Sequence, residues 1–225
     1  EGVRSYDAGE IWYIMDRQYN IPITKIDTRI LEKINLEKYN HFIFPSFNGE
    51  LNDKTIHKVN LWIEKGGTLI LFREAINWGK ENQLVEIEIL ENDFKAKNIN
   101  FINRKNFKTA QTISGAIFKA NLDRTHPINF GIENNSIALF RNTDIFLKPD
   151  DQSYNNPIKY DKNPLMSGYI SKENLKNLSN TVPFKIESIE NGKIIIMTDN
   201  TNFRGYWIGT QHFLANMIFY SQFMN

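Results

Sequence analysis

The stretch from Leu51 to Phe72, LNDKTIHKVNLWIEKGGTLILF, constrains the fold more than any other. Ile56, Val59, Trp62 and Ile63 fall at helical spacing, so one face of a helix can pack on a sheet. Asn52 or Asp53 can accept a backbone N–H bond and cap its start. Gly66-Gly67 ends it, because glycine enters the left-handed C′ conformation without a Cβ clash. Thr68–Phe72 is then apolar almost throughout, as expected of a strand covered on both faces. Upstream, His41-Phe-Ile-Phe-Pro45 is a second apolar run, closed by Ser46-Phe-Asn-Gly49. Strand, turn, helix, Gly-Gly, strand is a right-handed βαβ unit. The tips after Phe44 and Phe72 would lie at the carboxyl edge of a parallel sheet, where α/β folds place their ligands.

The flanks repeat this alternation. Ser5 or Asp7 can cap a helix carrying Ile11, Ile14, Met15 and Tyr19 on one face, with Glu10 as a first-turn acid. Ile23–Ile26 reads as a short strand, and Ile30, Leu31 and Ile34 mark a short helix or turn. Between about 84 and 183 the pattern loosens. Strands are expected at 115–122, 136–140 and 143–147, partial alternation at 84–90, and loop from Lys148 to Pro164. Phe184–Glu190, Asn191-Gly192 and Lys193–Thr198 form a strand, a tight turn and a strand. Trp207–Phe223 closes the chain as an apolar helix. The adjacent parallel strands are expected at 23–26, 41–45, 68–72 and 193–198, in one doubly wound α/β domain over 1–225 with a strand-rich excursion at 84–183.

With 27 basic and 26 acidic residues, net charge is +1, which gives no electrostatic case for nucleic acid or an anionic membrane. No apolar run approaches the ~20 residues that span a bilayer, so no membrane insertion is expected. The absence of cysteine removes disulfides, thiolate metal sites and cysteine nucleophiles together. The opening Glu1-Gly-Val-Arg4, without methionine, reads as part of a longer chain.

Three places could carry chemistry. The loop DNTNFRGYWIGTQH, 199–212, follows an apolar strand and offers Asn202, Arg204 and Tyr206 for binding. The bland alternative is that Arg204 pairs with a carboxylate while the aromatics pack the last helix. The tip Arg73-Glu74 can bind, with Glu74 a candidate acid, though charged tips are more often ion pairs. His126 and His212 could each act as a base. Neither sits in a metal-ligand spacing, so no metal and no cofactor is expected. Arg204 is expected to act structurally, its guanidinium fork satisfying loop carbonyls or meeting Glu10 or Glu74.

SYDAGEIWYIMDRQYNIPIT, EKGGTLI, SGAIFKANLDRTHPINFG, LMSGYIS and DNTNFRGYWIGTQHFLANMIFY resemble the C-terminal domain of bacterial M14-type zinc carboxypeptidase-like proteins. THPINFG and NFRGYW are the most specific segments. That domain is similar to class I glutamine amidotransferases, so the resemblance implies a flavodoxin-like, mostly parallel sheet. Amidotransferases carry a Cys on the turn after the central strand; the matching turn here reads Arg73-Glu74-Ala75. The resemblance therefore implies a catalytically silent accessory domain of a secreted or periplasmic peptidase. Its partners would be the preceding peptidase domain and a peptide or cell-wall fragment, with no nucleic acid. The alternative is a hydrolase or transferase in its own right, using Glu74, His126 or His212.

Overall fold

A computed structural model describes residues 2–91 and 94–224. Its centre is the segment read first. Strand β1 (His41–Phe44) runs parallel to β2 (Thr68–Phe72) across helix α2 (Asp53–Glu64). Asn52 caps α2 by accepting from the Thr55 amide at 2.8 Å. Gly66, at φ +114°, lets the chain leave it.

The last strand of the sheet in chain order, β7 (Gly192–Met197), lies parallel on the far side of β2. Its hairpin partner β6 (Phe184–Ile189) adds an antiparallel edge, giving the order β1-β2-β7-β6. The two-residue connection between β6 and β7 has Glu190 at φ +49°, the sign that primed hairpin turns require.

Alternation along β2 and β7 divides the core. Leu69, Leu71, Ile194 and Ile196 pack with α2 and α3 (Ala75–Glu81) on one face. Ile70, Phe72, Ile195 and Met197 pack on the other face with α1 (Ser5–Trp12) and α6 (Ile208–Phe219). That second core also takes in an antiparallel sheet of order β4-β3-β5, built from β3 (Ala116–Leu122), β4 (Ser136–Arg141) and β5 (Ile158–Gly168). This sheet is the strand-rich excursion. Short helices α4 (Arg104–Ala110) and α5 (Lys172–Leu178) accompany it. The architecture is α/β, flavodoxin-like, with a mostly parallel central sheet.

Several local expectations are corrected. Residues 23–26 form no strand, so among the described residues the parallel set has three members rather than four. Segments 84–90 and 143–147 contribute only single bridges, Ile89 with Leu147 and Leu147 with Val182. The expected loop 148–164 ends at Ile158, where β5 begins, because Tyr160 and Ile158 alternate inward despite the surrounding polar residues. Asp7 does not cap α1: its N-cap is Arg4, without a side-chain bond.

Candidate functional site

The carboxyl edge of the parallel sheet is built where β2 stops. Arg73, directly after Phe72, stands at φ +54°, and α3 starts two residues later. A left-handed non-glycine residue between a buried strand and a helix is the geometry of a nucleophile elbow. The Arg73 amide donates to the Met197 carbonyl at 3.0 Å, so the tip is tied to β7.

Here the elbow carries a guanidinium. Arg73 is 2% exposed, and its Nη1 donates to both oxygens of Asp7 at 2.8 Å. Nη2 donates to the Asn142 carbonyl at 3.2 Å and lies 3.7 Å from Glu74 Oε2. Ser46, just past β1 and buried, donates its hydroxyl to that same Glu74 oxygen. Burial pushes the Asp7 carboxyl above its ordinary value, and the Arg73 charge opposes that rise without cancelling it.

One turn along α1, Glu10 accepts from the Asn200 side-chain amide at 2.9 Å and from the Arg204 backbone N–H at 2.7 Å. Burial raises its carboxyl too, against those two donors. The tips of β1, β2 and β7 thus converge on one helix. Asp7 anchors the elbow and Glu10 anchors the loop after β7.

That loop works through its backbone. Arg204 sits at φ +51° with an exposed side chain whose guanidinium lies 5.1 Å from the Phe203 ring centre. The expected fork onto loop carbonyls is absent among the described residues. The carbonyl of Gly205 is taken instead by Gln18 at 2.8 Å and Gln211 at 3.0 Å. Asn202 is buried, its amide donating to Asn200 Oδ1 at 3.0 Å, and Tyr206 is exposed beside Phe203 and Trp207. Of the sequence-derived candidates, the structure brings Arg73 and Glu74 together and holds the 200–206 loop against the same helix.

The histidines lie elsewhere. His126 Nδ1 accepts from the Ile128 amide at 3.1 Å, its ring packs edge-on against Phe184, and burial lowers its pKa. His212 is exposed on α6, near Gly131. No bond among the described residues joins either to Glu74 or Glu10. No group of three His, Asp or Glu side chains among the described residues could hold a metal ion.

Sequence reasoning missed a second charged centre. Arg141, at the end of β4, donates to Asp199 Oδ1 at 2.7 Å, Thr198 Oγ1 at 2.9 Å and Tyr160 Oη at 3.1 Å. It also donates to the Ile145 carbonyl. Tyr160 donates to Asp199 at 2.7 Å. Arg141 and Asp199 are 1% and 0% exposed, and they join the two sheets. The available signal was Arg141 directly after the apolar run 137–140, and Asp199 separated only by Thr198 from the run that ends at Met197.

These features define a class: the flavodoxin-like, class I glutamine amidotransferase-like fold, with an arginine at the elbow. No family model and no curated protein matches the sequence. Solved structures do match in shape. "Cytoplasmic Protein STM3548" from Salmonella typhimurium is similar at TM-score 0.55 and 10% identity, over 97% of this chain and 87% of that one. A ThuA-like protein from Bacteroides uniformis is similar at TM-score 0.51 and 14% identity, over 93% and 80%. The exo-β-1,4-mannosidase Op5Man5 from an Opitutaceae bacterium is similar at TM-score 0.51 and 11% identity, over 98% of this chain but 31% of the enzyme. At such identities the likeness is one of fold.

Proposed function

We propose that this chain is a catalytically silent, amidotransferase-like accessory domain with a structural or partner-binding role. The observation that carries the reading is Arg73: the position where this fold presents a nucleophile holds a buried guanidinium locked to Asp7. A guanidinium stays protonated and is no nucleophile. Attachment to a secreted zinc carboxypeptidase-like peptidase, with peptide or cell-wall fragments as partners, rests on the sequence segments quoted above. It has no counterpart among the structural neighbours named here.

The alternative, a hydrolase or transferase without cysteine, draws on one contact, the Ser46 hydroxyl held by Glu74. Against it, Ser46 is 1% exposed and, among the described residues, no histidine is bonded to it to take the proton. The purified chain is expected to release no ammonia from glutamine and to cleave no activated ester above background. Turnover lost on Glu74→Gln or Ser46→Ala would overturn the silent reading.

A further inference from the structure

The net charge of +1 averages over an uneven chain. Lys95, Lys97, Arg104, Lys105, Lys108 and Lys119 follow one another with no acidic residue between them. Lys119 pairs with Asp161 at 3.3 Å. Among the described residues, no carboxylate lies within ion-pairing distance of Lys97, Arg104, Lys105 or Lys108.

Helix α4 explains how these charges are presented. Its Phe107 and Ala110, and Gln111 after it, are half-buried against the protein. The helical repeat then turns Arg104, Lys105 and Lys108 outward, and all three are exposed. Directly ahead of α4, the 3₁₀ turn Phe101–Asn103 holds two apolar side chains in solvent. Phe101 is 74% exposed and Ile102 81%, and no aliphatic side chain among the described residues is more exposed than Ile102. Neither belongs to a core cluster. The Arg104 guanidinium lies 3.9 Å from the Phe101 ring centre, so cation and apolar group share one surface. Adjoining apolar groups left in water mark a contact surface.

A cavity of about 430 Å³ opens on the same helix, lined by Lys105, Asn106, Thr109, Thr112, Ser114 and Tyr169. It offers one ammonium and several hydroxyls, the donors from which a phosphodiester accepts.

We infer that 97–109 is a peripheral docking surface for an anionic phospholipid bilayer. Phe101 and Ile102 enter the interface. Arg104, Lys105 and Lys108 meet headgroup phosphates, and the cavity beside Lys105 takes one headgroup. Charge gives the sign of the partner, and the aliphatic tip gives its class. Single-stranded nucleic acid stacks its bases on aromatic rings and has no use for Ile102. The boundary between headgroups and acyl chains takes Ile102 and Phe101 together. Basic clusters draw a protein to anionic leaflets, and an apolar anchor reinforces that attraction.

Cosedimentation of the whole chain with vesicles tests this. The chain should bind vesicles of equal parts phosphatidylcholine and phosphatidylglycerol, and leave them as salt rises. It should not bind phosphatidylcholine alone. Each cation near an anionic surface is worth about fivefold in affinity, so Lys105→Gln with Lys108→Gln should weaken binding ~25-fold. Lys33→Gln with Lys54→Gln removes the same charge from exposed positions on the α2 side and should change little. Phe101→Ser with Ile102→Ser should weaken binding with the charge intact. The chain has no cysteine, so Ile102→Cys can carry a single environment-sensitive dye. Its emission should shift to the blue on anionic vesicles, and the same dye at Lys54→Cys should not shift. Failure to bind anionic vesicles, or binding that neither the 101/102 pair nor the 105/108 pair alters, overturns the proposal. So does a dye at 102 that stays unshifted on bound vesicles. If duplex DNA binds as tightly as the vesicles and the 101/102 pair changes neither, the surface is a general polyanion site and membrane docking is wrong.

Discussion

Two arginines are buried in this protein, in two regions that treat the charge differently. Arg141 lies where the parallel and antiparallel sheets meet, and every partner it has is buried with it. Arg73 lies at the carboxyl edge, and its carboxylate neighbours Asp7 and Glu74 keep 12% and 33% of their side chains exposed. The first region is closed and welds the layers together. The second is pinned from inside while showing carboxylate to solvent. On the proposed reading, the carboxyl edge keeps its shape while a buried cation takes the position directly after β2.

Removing each cation separates the two regions most sharply. Arg141→Ala strands Asp199 as a buried charge and is expected to cost ~3–5 kcal/mol. Arg73→Ala should cost less, ~2–3 kcal/mol, because Asp7 reaches solvent and can take a proton. Chemical denaturation of the two variants, side by side, checks the order; equal losses would erase the distinction.

The same contrast predicts a pH effect. Asp7's pKa is raised above its ordinary 3.8 by burial, with Arg73 opposing. A raised carboxyl stabilises the fold in full below its unfolded value and loses that contribution as pH rises through the folded value. Arg73→Ala removes the opposing charge, so its penalty should be largest at neutral pH and shrink as pH falls toward 4. Melting curves across that range check the slope, and a penalty that grows on acidification would contradict it.

The smallest effect is expected at a third arginine. Arg204 is exposed, and its link to Glu10 is made by the backbone. Arg204→Ala and Arg204→Lys should both lie within about 0.5 kcal/mol of the parent. Losing more than 1 kcal/mol in both would restore a structural role to its guanidinium.

Much of the fold was legible. The Leu51–Phe72 segment encodes its own topology, because helix period, Gly66 and an unbroken apolar run agree at every level. The hairpin at 190–191 is equally local. Residues 23–26 misled, since Ile23 and Ile26 supply a strand's composition and only a paired neighbour makes a strand. Tyr160 was hidden by the polar residues around it. At the site, the tip Arg73-Glu74 was visible by position, while the role expected of Arg204 belongs to Arg73. Sequence marks a charge near a strand end. It does not say that Arg73 turns inward at a left-handed tip and Arg204 outward at another. Asp7 read as a helix cap because its partner Arg73 lies 66 residues away, and Glu10, expected beside Arg204, meets that residue's backbone rather than its guanidinium.

The central claim is that Arg73 and Asp7 act as one buried unit that fixes the tip after β2. A double-mutant cycle of Arg73→Met and Asp7→Asn at pH 7, followed by denaturant unfolding, measures it directly. The expected result is a double variant less destabilised than the sum of the singles, with coupling of about 1–3 kcal/mol. Additivity within about 0.3 kcal/mol would show that the two side chains do not work together, and the structural reading of the elbow would fall.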